Sequence, residues 1–148
     1  HGTIMRMNAD GSDMNAYARG VRNPVGLTWH PLSGEMWFTD PGRDGMEPGK
    51  PSCELNNAPA ANLNFGFPYC HGDDADPSLG SIHPCGDFTA PAEKLGAHIT
   101  PLGLKFNTGD MFPAKYKNQL FLVLKGAYRA PLNGHNITWV KMDANNKS

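Results

Sequence analysis

The sequence predicts an all-β protein made of short strands joined by turns. Glycine and proline are abundant, with 17 and 13 copies among 148 residues, well above their share in an average domain. No window of 11–18 residues shows the sustained i, i+3, i+4, i+7 apolar spacing that indicates an amphipathic helix. Short apolar runs instead alternate with turn pairs such as Asp10-Gly11 and Asn133-Gly134, which are hairpin signals.

Four strands are predicted in the first 40 residues, and we expect them to form one four-stranded unit. Residues 3–7 alternate in polarity and turn through Asp10-Gly11 into a strand at 15–19. Residues 27–29 and 35–39 flank a turn with Pro31 and Gly34 at positions that suit them. Residues 40–62 are interpreted as a loop, because four prolines break any regular element there.

The second half is predicted to hold a polar insertion and three further strands. Residues 64–67 are assigned as a short strand, and 68–91 as a long insertion rich in Asp, Gly and Pro. The three later strands are 100–106, 119–124 and 136–142, with turns at 115–118 and at Asn133-Gly134. No linker divides the chain, so residues 1–148 are expected to belong to one domain.

The charge pattern excludes two classes of partner. The net charge is −1, with 13 basic and 14 acidic residues spread along the sequence. Without a basic block or stripe, neither nucleic acid nor an anionic membrane surface is an expected partner. The apolar runs are far shorter than the roughly 18 residues of a membrane-spanning helix, so no membrane insertion is expected.

A dense group of signals lies between Tyr17 and Asp40. Arg22 and Asn23 come just before the strand at 27–29, so both occupy a loop on a β scaffold, where binding groups concentrate. The guanidinium fork of Arg22 suits a carboxylate or another pair of oxygen acceptors. The alternative is structural: Arg22 supports the loop and Asn23 caps a turn.

This stretch resembles the soluble glucose/sorbosone dehydrogenase family, β-propellers that use pyrroloquinoline quinone (PQQ). The resemblance covers nearly the whole chain from Gly2 to Asp143 through five further runs in the family's order: Asp40-Pro-Gly-Arg-Asp44, Cys53-Glu-Leu-Asn56, Asn64-Phe-Gly-Phe-Pro-Tyr-Cys70, His98-Ile-Thr-Pro-Leu-Gly103 and Phe121-Leu-Val-Leu-Lys-Gly126. It implies a propeller, six-bladed in the family, of which this chain covers about two to three blades. The chain is therefore expected to be part of a longer protein, and a complete small β domain is the alternative.

The resemblance also implies a cofactor site. Arg22 and Asn23 match the family's cofactor-binding Arg-Asn pair, and His98 matches a position near the cofactor. Lys125 matches a PQQ-binding lysine of the glucose dehydrogenase branch, although the run Leu124-Lys-Gly-Ala-Tyr-Arg129 departs from the sorbosone-type pattern. The alternatives are a solvated lysine at a strand end and a histidine that stabilises a turn.

A calcium site is implied beside the cofactor. In the family the loop matching residues 40–44 supplies main-chain oxygens to a Ca²⁺ ion, so the carbonyls of Gly42 and Arg43 are the expected ligands. Asp40 and Asp44 could add favourable charge, and an ordinary Asp-Pro-Gly turn is the alternative. Glu54 and Asn56 are interpreted as residues that tie this loop together by hydrogen bonds.

The implied reaction oxidises a hydroxyl or hydrated aldehyde of an aldose or sorbosone-type sugar by hydride transfer to the quinone. The family's general base is a histidine well upstream of the Arg-Asn pair. Only His1 precedes Arg22 here, and His30 belongs to a turn, so this segment alone is expected to be inactive. The alternative function is a non-catalytic propeller module for binding or assembly with other chains. A sugar lactone hydrolase would need clustered acidic metal ligands, which the sequence does not offer.

Cysteines and sequons indicate the compartment. Cys70 and Cys85 flank the polar insertion and match cysteines of the family, so they are expected to form a disulfide, or else to be two buried thiols. Cys53 is then free, or paired outside the segment. His71 and His83 are interpreted as exposed loop residues, not zinc ligands. Asn136 and Asn146 begin N-x-[ST] triplets and are candidate glycosylation sites. Together these features favour a secreted, extracellular or periplasmic protein.

Overall fold

The computed structural model describes residues 2–46, 48–126 and 135–143. Within these ranges the regular elements are β-strands and two short 3-10 helices. The strands are β1 (Thr3–Arg6), β2 (Asn15–Arg19), β3 (Leu27–Trp29), β4 (Met36–Asp40), β5 (Ser52–Ala58), β6 (Leu63–Asn64), β7 (Cys70–His71), β8 (Asp74–Ala75), β9 (Glu93–Ala97), β10 (Pro101–Phe106), β11 (Leu120–Leu124) and β12 (Asn136–Val140). Two single-turn 3-10 helices, Cys85–Asp87 and Ala114–Tyr116, complete the described elements. The all-β prediction is confirmed.

The strands form three main sheets and one small hairpin. The orders are β1-β2-β6, β3-β4-β5-β9 and β10-β11-β12, and β7 pairs with β8. All neighbours are antiparallel except β2 and β6, which run parallel with Ala18 opposite Leu63. We call the four-stranded sheet β3-β4-β5-β9 the central sheet. In it, β5 pairs with β4, with Glu54 opposite Asp40, and with β9, with Ser52 opposite Ala97.

Two sequence-based expectations about this architecture are wrong. The first four strands do not form one unit, since β1 and β2 belong to one sheet and β3 and β4 to the next. Residues 40–62 are not a loop, because β5 occupies 52–58 at the centre of the second sheet. The proline-rich insertion likewise contains β7 and β8, and β9 follows it. β5 and β9 escaped prediction because they pair with each other across a long connection and carry many polar side chains, and β7 and β8 because each is only two residues long.

The middle strands of the central sheet, β4 and β5, are buried on both faces. Along β4, Met36 and Phe38 contact one core cluster while Trp37, which points the opposite way, contacts the other. The first cluster joins the central sheet to β2 and β6 and contains Ala18, Val21, Met36, Phe38, Ala58 and Phe65. The second joins it to β10 and β11 and contains Trp37, Leu55, Phe106, Leu120, Leu122 and Met142. This double burial fixes the ends of β4 and β5, where the candidate site lies.

The chain approaches β10 closely at Gly26, just before β3 of the central sheet. A Cβ atom on Gly26 would lie 2.3 Å from the Leu102 carbonyl oxygen and 2.7 Å from a methyl carbon of Leu104. Thr39 closes the same junction, since its hydroxyl donates to the Leu102 carbonyl at 2.8 Å and accepts the Gly26 N–H at 3.1 Å. Backbone, rather than a movable side chain, therefore limits the space at Gly26.

We expect Gly26→Ala to destabilise the protein by about 3 kcal/mol, the upper end of the usual cost of overpacking. Gly103→Ala is the matched control, because a Cβ at Gly103 meets nothing within 4 Å. Denaturant unfolding of both variants of the full-length protein measures the difference. Equal stabilities would contradict the close sheet contact.

Candidate functional site

Four segments that carry predicted site residues meet at one edge of the sheets. β4 ends at Asp40, and the antiparallel β3 begins just after residues 22–26, so these two segments lie together. β9 ends opposite Ser52 and leads into residues 98–100 at the same edge. β11 ends at Leu124 opposite Pro101, which brings Lys125 to this edge as well. The topology therefore collects Arg22, Asn23, Gly42, Arg43, His98 and Lys125 at one end of the central and third sheets.

Arg22 and Asn23 are held by the end of β4. The backbone N–H groups of Arg22 and Asn23 donate to the two carboxylate oxygens of Asp40, each at 2.7 Å. The Arg22 guanidinium donates through Nη1 to the carbonyls of Pro41 at 3.0 Å and Gly42 at 3.3 Å. The side chains of Arg22 and Asn23 belong to exposed residues, so a ligand at this edge can reach them.

The loop after β4 packs its backbone on the start of β5. A Cβ on Gly42 would lie 3.0 Å from the Pro51 carbonyl oxygen and 3.1 Å from that of Ser52. The Gly42 N–H donates to the thiol sulfur of Cys53 at 3.4 Å, and Cys53 is free and buried. The Arg43 guanidinium pairs with the Asp76 carboxylate, with Nη1 2.6 Å from Oδ2. Gly42 is thus a position where two backbone segments approach closely, and its carbonyl oxygen accepts a hydrogen bond from the Arg22 guanidinium.

His98 and Lys125 complete the edge. His98 has a positive φ of 60°, and its Nδ1 lies 3.7 Å from a carboxylate oxygen of Asp44. The Lys125 N–H donates to the Thr100 carbonyl at 3.0 Å, and the Gly126 N–H donates to the Ile99 carbonyl at 2.7 Å. The backbone of Lys125 is fixed in this way, while the residue is exposed.

Two buried carboxyl groups, those of Asp40 and Glu54, lie next to the loop that carries Arg22. Asp40 and Glu54 are directly opposite each other on β4 and β5, and both are buried. Burial raises the pKa of Asp40, and the hydrogen bonds from the Arg22 and Asn23 N–H groups oppose only part of this increase. Burial raises the pKa of Glu54 to about 7, with a further increase from the Asp40 carboxylate. The Asn56 amide donates to Glu54 at 2.9 Å, so Glu54 and Asn56 are hydrogen-bonded as predicted, although on a strand and not in a loop.

The insertion that carries the disulfide supports the loop after β4. Cys70 and Cys85 are bonded, as predicted. His71 is buried with its Nε2 3.2 Å from Asp76, so its assignment as an exposed loop residue is wrong, whereas His83 is exposed. The Ser78 N–H, together with His71 and Arg43, lowers the pKa of Asp76 to about 2. Nothing in the local sequence marks His71 as buried, because its partners come from the folded insertion and from Arg43.

Of the remaining predicted residues, His30 lies away from this edge, whereas Asn136 is opposite Leu124 at the start of β12 and lies beside Lys125. His30 is buried in the turn between β3 and β4, where its Nδ1 accepts the N–H groups of Leu32 and Ser33. It is a structural residue, as interpreted from the sequence. Asn136 begins β12 and is exposed, and its glycosylation stays a prediction. Asn146 lies outside the described residues. Among those that are described, no helix is long and apolar enough to cross a membrane.

We expect loss of the Cys70–Cys85 disulfide, by the paired Cys70→Ser and Cys85→Ser changes, to cost about 3 kcal/mol. The bond closes a loop over a sequence separation of 15, and cross-links of that span restrict the unfolded chain by about this free energy. Denaturant unfolding of the oxidised protein and the variant gives the difference. Alkylation of both thiols in the native, unreduced protein would show that the bond does not form.

Comparisons with known proteins agree with this architecture. An uncharacterized protein of Borreliella burgdorferi is 33% identical over 149 residues, which cover 98% of this chain and 39% of the relative. A glucose dehydrogenase structure matches with a TM-score of 0.74 at 21% identity, over 100% of this chain and 42% of that one. The apo form of the soluble aldose sugar dehydrogenase of Escherichia coli matches with a TM-score of 0.65 at 19% identity, over 95% and 44%.

These likenesses confirm the propeller-type fold and show how much of it the chain represents. The chain spans about two fifths of the length of the proteins that it matches. The family model described as Glucose / Sorbosone dehydrogenase matches residues 1–147. The chain therefore belongs to the glucose/sorbosone dehydrogenase family.

Proposed function

We propose that this chain is part of a PQQ- and calcium-dependent sugar dehydrogenase and holds the cofactor at the sheet edge that carries Arg22. The observation that supports this most is the arrangement of Arg22, whose exposed guanidinium lies against the Pro41 and Gly42 carbonyls. A cation donor and carbonyl acceptors side by side are what an anionic cofactor and its metal ion require.

The donor set fits PQQ, a planar quinone that carries three carboxylates. Arg22 and Lys125 bring two cationic residues to one edge, and a tri-anion that leaves water needs such partners, together with a metal ion, to offset its desolvation. Arg22 and Lys125 are the residues proposed to hold the carboxylates or quinone oxygens, with Asn23 and His98 as polar neighbours. The Arg43 side chain is engaged by Asp76, so its proposed contribution is its carbonyl oxygen.

The carbonyls of Gly42 and Arg43 fit a calcium ion. The Gly42 carbonyl accepts one bond from Arg22 at 3.3 Å, and a carbonyl oxygen has two lone pairs, so one remains for a metal. Asp44 adds a carboxylate that is fully exposed beside His98. When bound, PQQ supplies the two-electron acceptor and Ca²⁺ the Lewis acid. Among the described residues of this edge we assign no general base, and proton abstraction is assigned to a part of the protein beyond this segment.

Reconstitution tests the proposal. The full-length protein is expected to take up PQQ at micromolar concentration in the presence of Ca²⁺, and then to reduce a dye with aldoses as substrates. Activity without PQQ binding would contradict the proposed cofactor. Absence of PQQ uptake would favour a non-catalytic propeller that binds or assembles with other chains, since propellers carry many functions.

The proposed location is outside the cytoplasm, in a secreted, extracellular or periplasmic protein. The disulfide supports this, because such bonds persist mainly in oxidising compartments. A sugar as substrate is supported by family membership. A glycan on Asn136 is part of this proposal, for a source with a secretory route.

A further inference from the structure

Asp40 connects the two segments that form the candidate site. Its carboxylate is buried at the end of β4, and each of its oxygens accepts one backbone N–H, from Arg22 and from Asn23. The bonds are both 2.7 Å, at the short end of the range for donors that face an ionised acceptor. These N–H groups lie outside every strand, so no sheet partner satisfies them.

The Arg22 side chain makes the return connection. Its guanidinium donates to the carbonyls of Pro41 and Gly42, the two residues that follow Asp40. Two sets of hydrogen bonds thus join residues 22–23 to residues 40–42. In one the backbone of residues 22–23 donates to the Asp40 side chain, and in the other the Arg22 side chain donates to the backbone of residues 41–42. We call this pair of segments the clamp.

The choice of partners in the clamp has an electrostatic consequence. An aspartate beside an arginine usually pairs with the guanidinium and neutralises it. Here the Asp40 carboxylate is occupied by neutral backbone N–H groups, and the guanidinium is occupied by neutral carbonyls. The guanidinium and the Asp40 carboxylate still attract each other, which lowers the pKa of Asp40, but Arg22 is oriented through neutral acceptors, and its other N–H groups stay available to an anion.

We propose that Asp40 is a positioning residue, which sets the Arg22 guanidinium against the Gly42 carbonyl for an anionic cofactor without touching that cofactor. This inference rests on the proposed function for its ligand. The positioning depends on the two hydrogen bonds from the Arg22 and Asn23 N–H groups, which require two acceptor oxygens on residue 40. An asparagine at position 40 offers one acceptor and turns an N–H₂ group toward the other amide.

The experiment combines amide hydrogen exchange with PQQ binding in the full-length protein. In the wild type, the Arg22 and Asn23 amides are expected to exchange as slowly as strand amides, although they lie in an exposed loop. In Asp40→Asn both amides are expected to exchange about tenfold faster or more, and PQQ is expected to bind about tenfold more weakly or worse, as for other residues that orient a ligand contact. Asp110→Asn is the matched control, because Asp110 is exposed and pairs with Lys117 in another part of the fold.

A double-mutant cycle separates positioning from a general loss of structure. If Asp40 acts through Arg22, Asp40→Asn will change PQQ affinity in the wild type and leave it unchanged in the Arg22→Ala background. An equal loss in both backgrounds would overturn the proposal. Fast exchange of the two amides in the wild type would overturn it too, and that measurement needs no variant that folds.

The two proposals fail in different ways. If the wild type takes up no PQQ, the proposed function fails, and the exchange rates of the Arg22 and Asn23 amides still decide whether Asp40 holds the clamp. If PQQ binds tightly and Asp40→Asn changes neither exchange nor affinity, the proposed function stands and the positioning role is wrong.

Discussion

Replacing Arg22 with alanine is expected to weaken PQQ binding by about 2–5 kcal/mol, the range for removing one partner of a close charge pair. This corresponds to a loss of affinity of about 30-fold or more. The reason is that Arg22 is exposed at the edge, while its guanidinium donates hydrogen bonds to the neutral carbonyls of Pro41 and Gly42. Equilibrium dialysis of PQQ against the full-length protein measures the change.

Arg19→Ala is the matched control for this prediction. Arg19 is also an exposed arginine, but it lies on β2, in the first sheet, beside Tyr17 and Asn62 around a cavity of about 260 Å³. We expect its removal to leave PQQ affinity unchanged. An equal loss in the two variants would indicate a nonspecific charge effect, and no loss in Arg22→Ala would contradict the assigned site.

Replacing Glu54 with glutamine is expected to stabilise the protein above neutral pH and to leave its stability unchanged near pH 4. The pKa of Glu54 is raised from 4.5 to about 7 in the folded state. Such a group contributes stability that is fully present below its unfolded pKa and is lost as the pH rises toward 7. The ionised form at pH 8 therefore costs about 3 kcal/mol, at 1.36 kcal/mol for each pKa unit, and glutamine avoids this cost.

Unfolding free energies of Glu54→Gln and the wild type, measured from pH 4 to pH 8, test this prediction. The difference should grow with pH through the window from 4.5 to 7. Asp76→Asn is a control of opposite sign, because hydrogen bonds lower the pKa of Asp76 to about 2, so its ionised form is the stabilising one at neutral pH. A difference for Glu54→Gln that does not vary with pH would contradict the burial of an ionisable carboxyl beside Asp40.

Local signals in the sequence predicted the strands whose partners are near in sequence. β1 and β2 pair across the Asp10-Gly11 turn, and β3 and β4 pair across the turn that holds Gly34. β5 escaped prediction because it carries Glu54, Asn56 and Asn57, which do not read as a buried strand. Glu54 and Asn56 are buried because β4 and β9 flank β5 and other sheets cover it, and a local pattern does not encode such an arrangement.

In the candidate site too, the sequence identified the residues marked by local features and missed the role that depends on distant partners. Arg22 and Asn23 could be identified because they stand in a loop before a strand, a local feature reinforced by the family resemblance. The role of Asp40 could not, since its partners lie 17 and 18 residues away and meet it only when β3 and β4 pair. An acidic residue at the end of an otherwise apolar strand was the one available signal. The sequence suggested only that Asp40 could add favourable charge beside a metal ion, with an ordinary turn as the alternative, whereas in the structure its carboxylate accepts two backbone N–H groups.

The most direct test of the cofactor site is a crystal structure of the full-length protein grown with PQQ and Ca²⁺. Our account predicts PQQ density against the Arg22 guanidinium and within reach of Lys125, with a Ca²⁺ ion on the carbonyl oxygens of Gly42 and Arg43. PQQ density elsewhere on the propeller, with Arg22 still bonded only to Pro41 and Gly42, would contradict it.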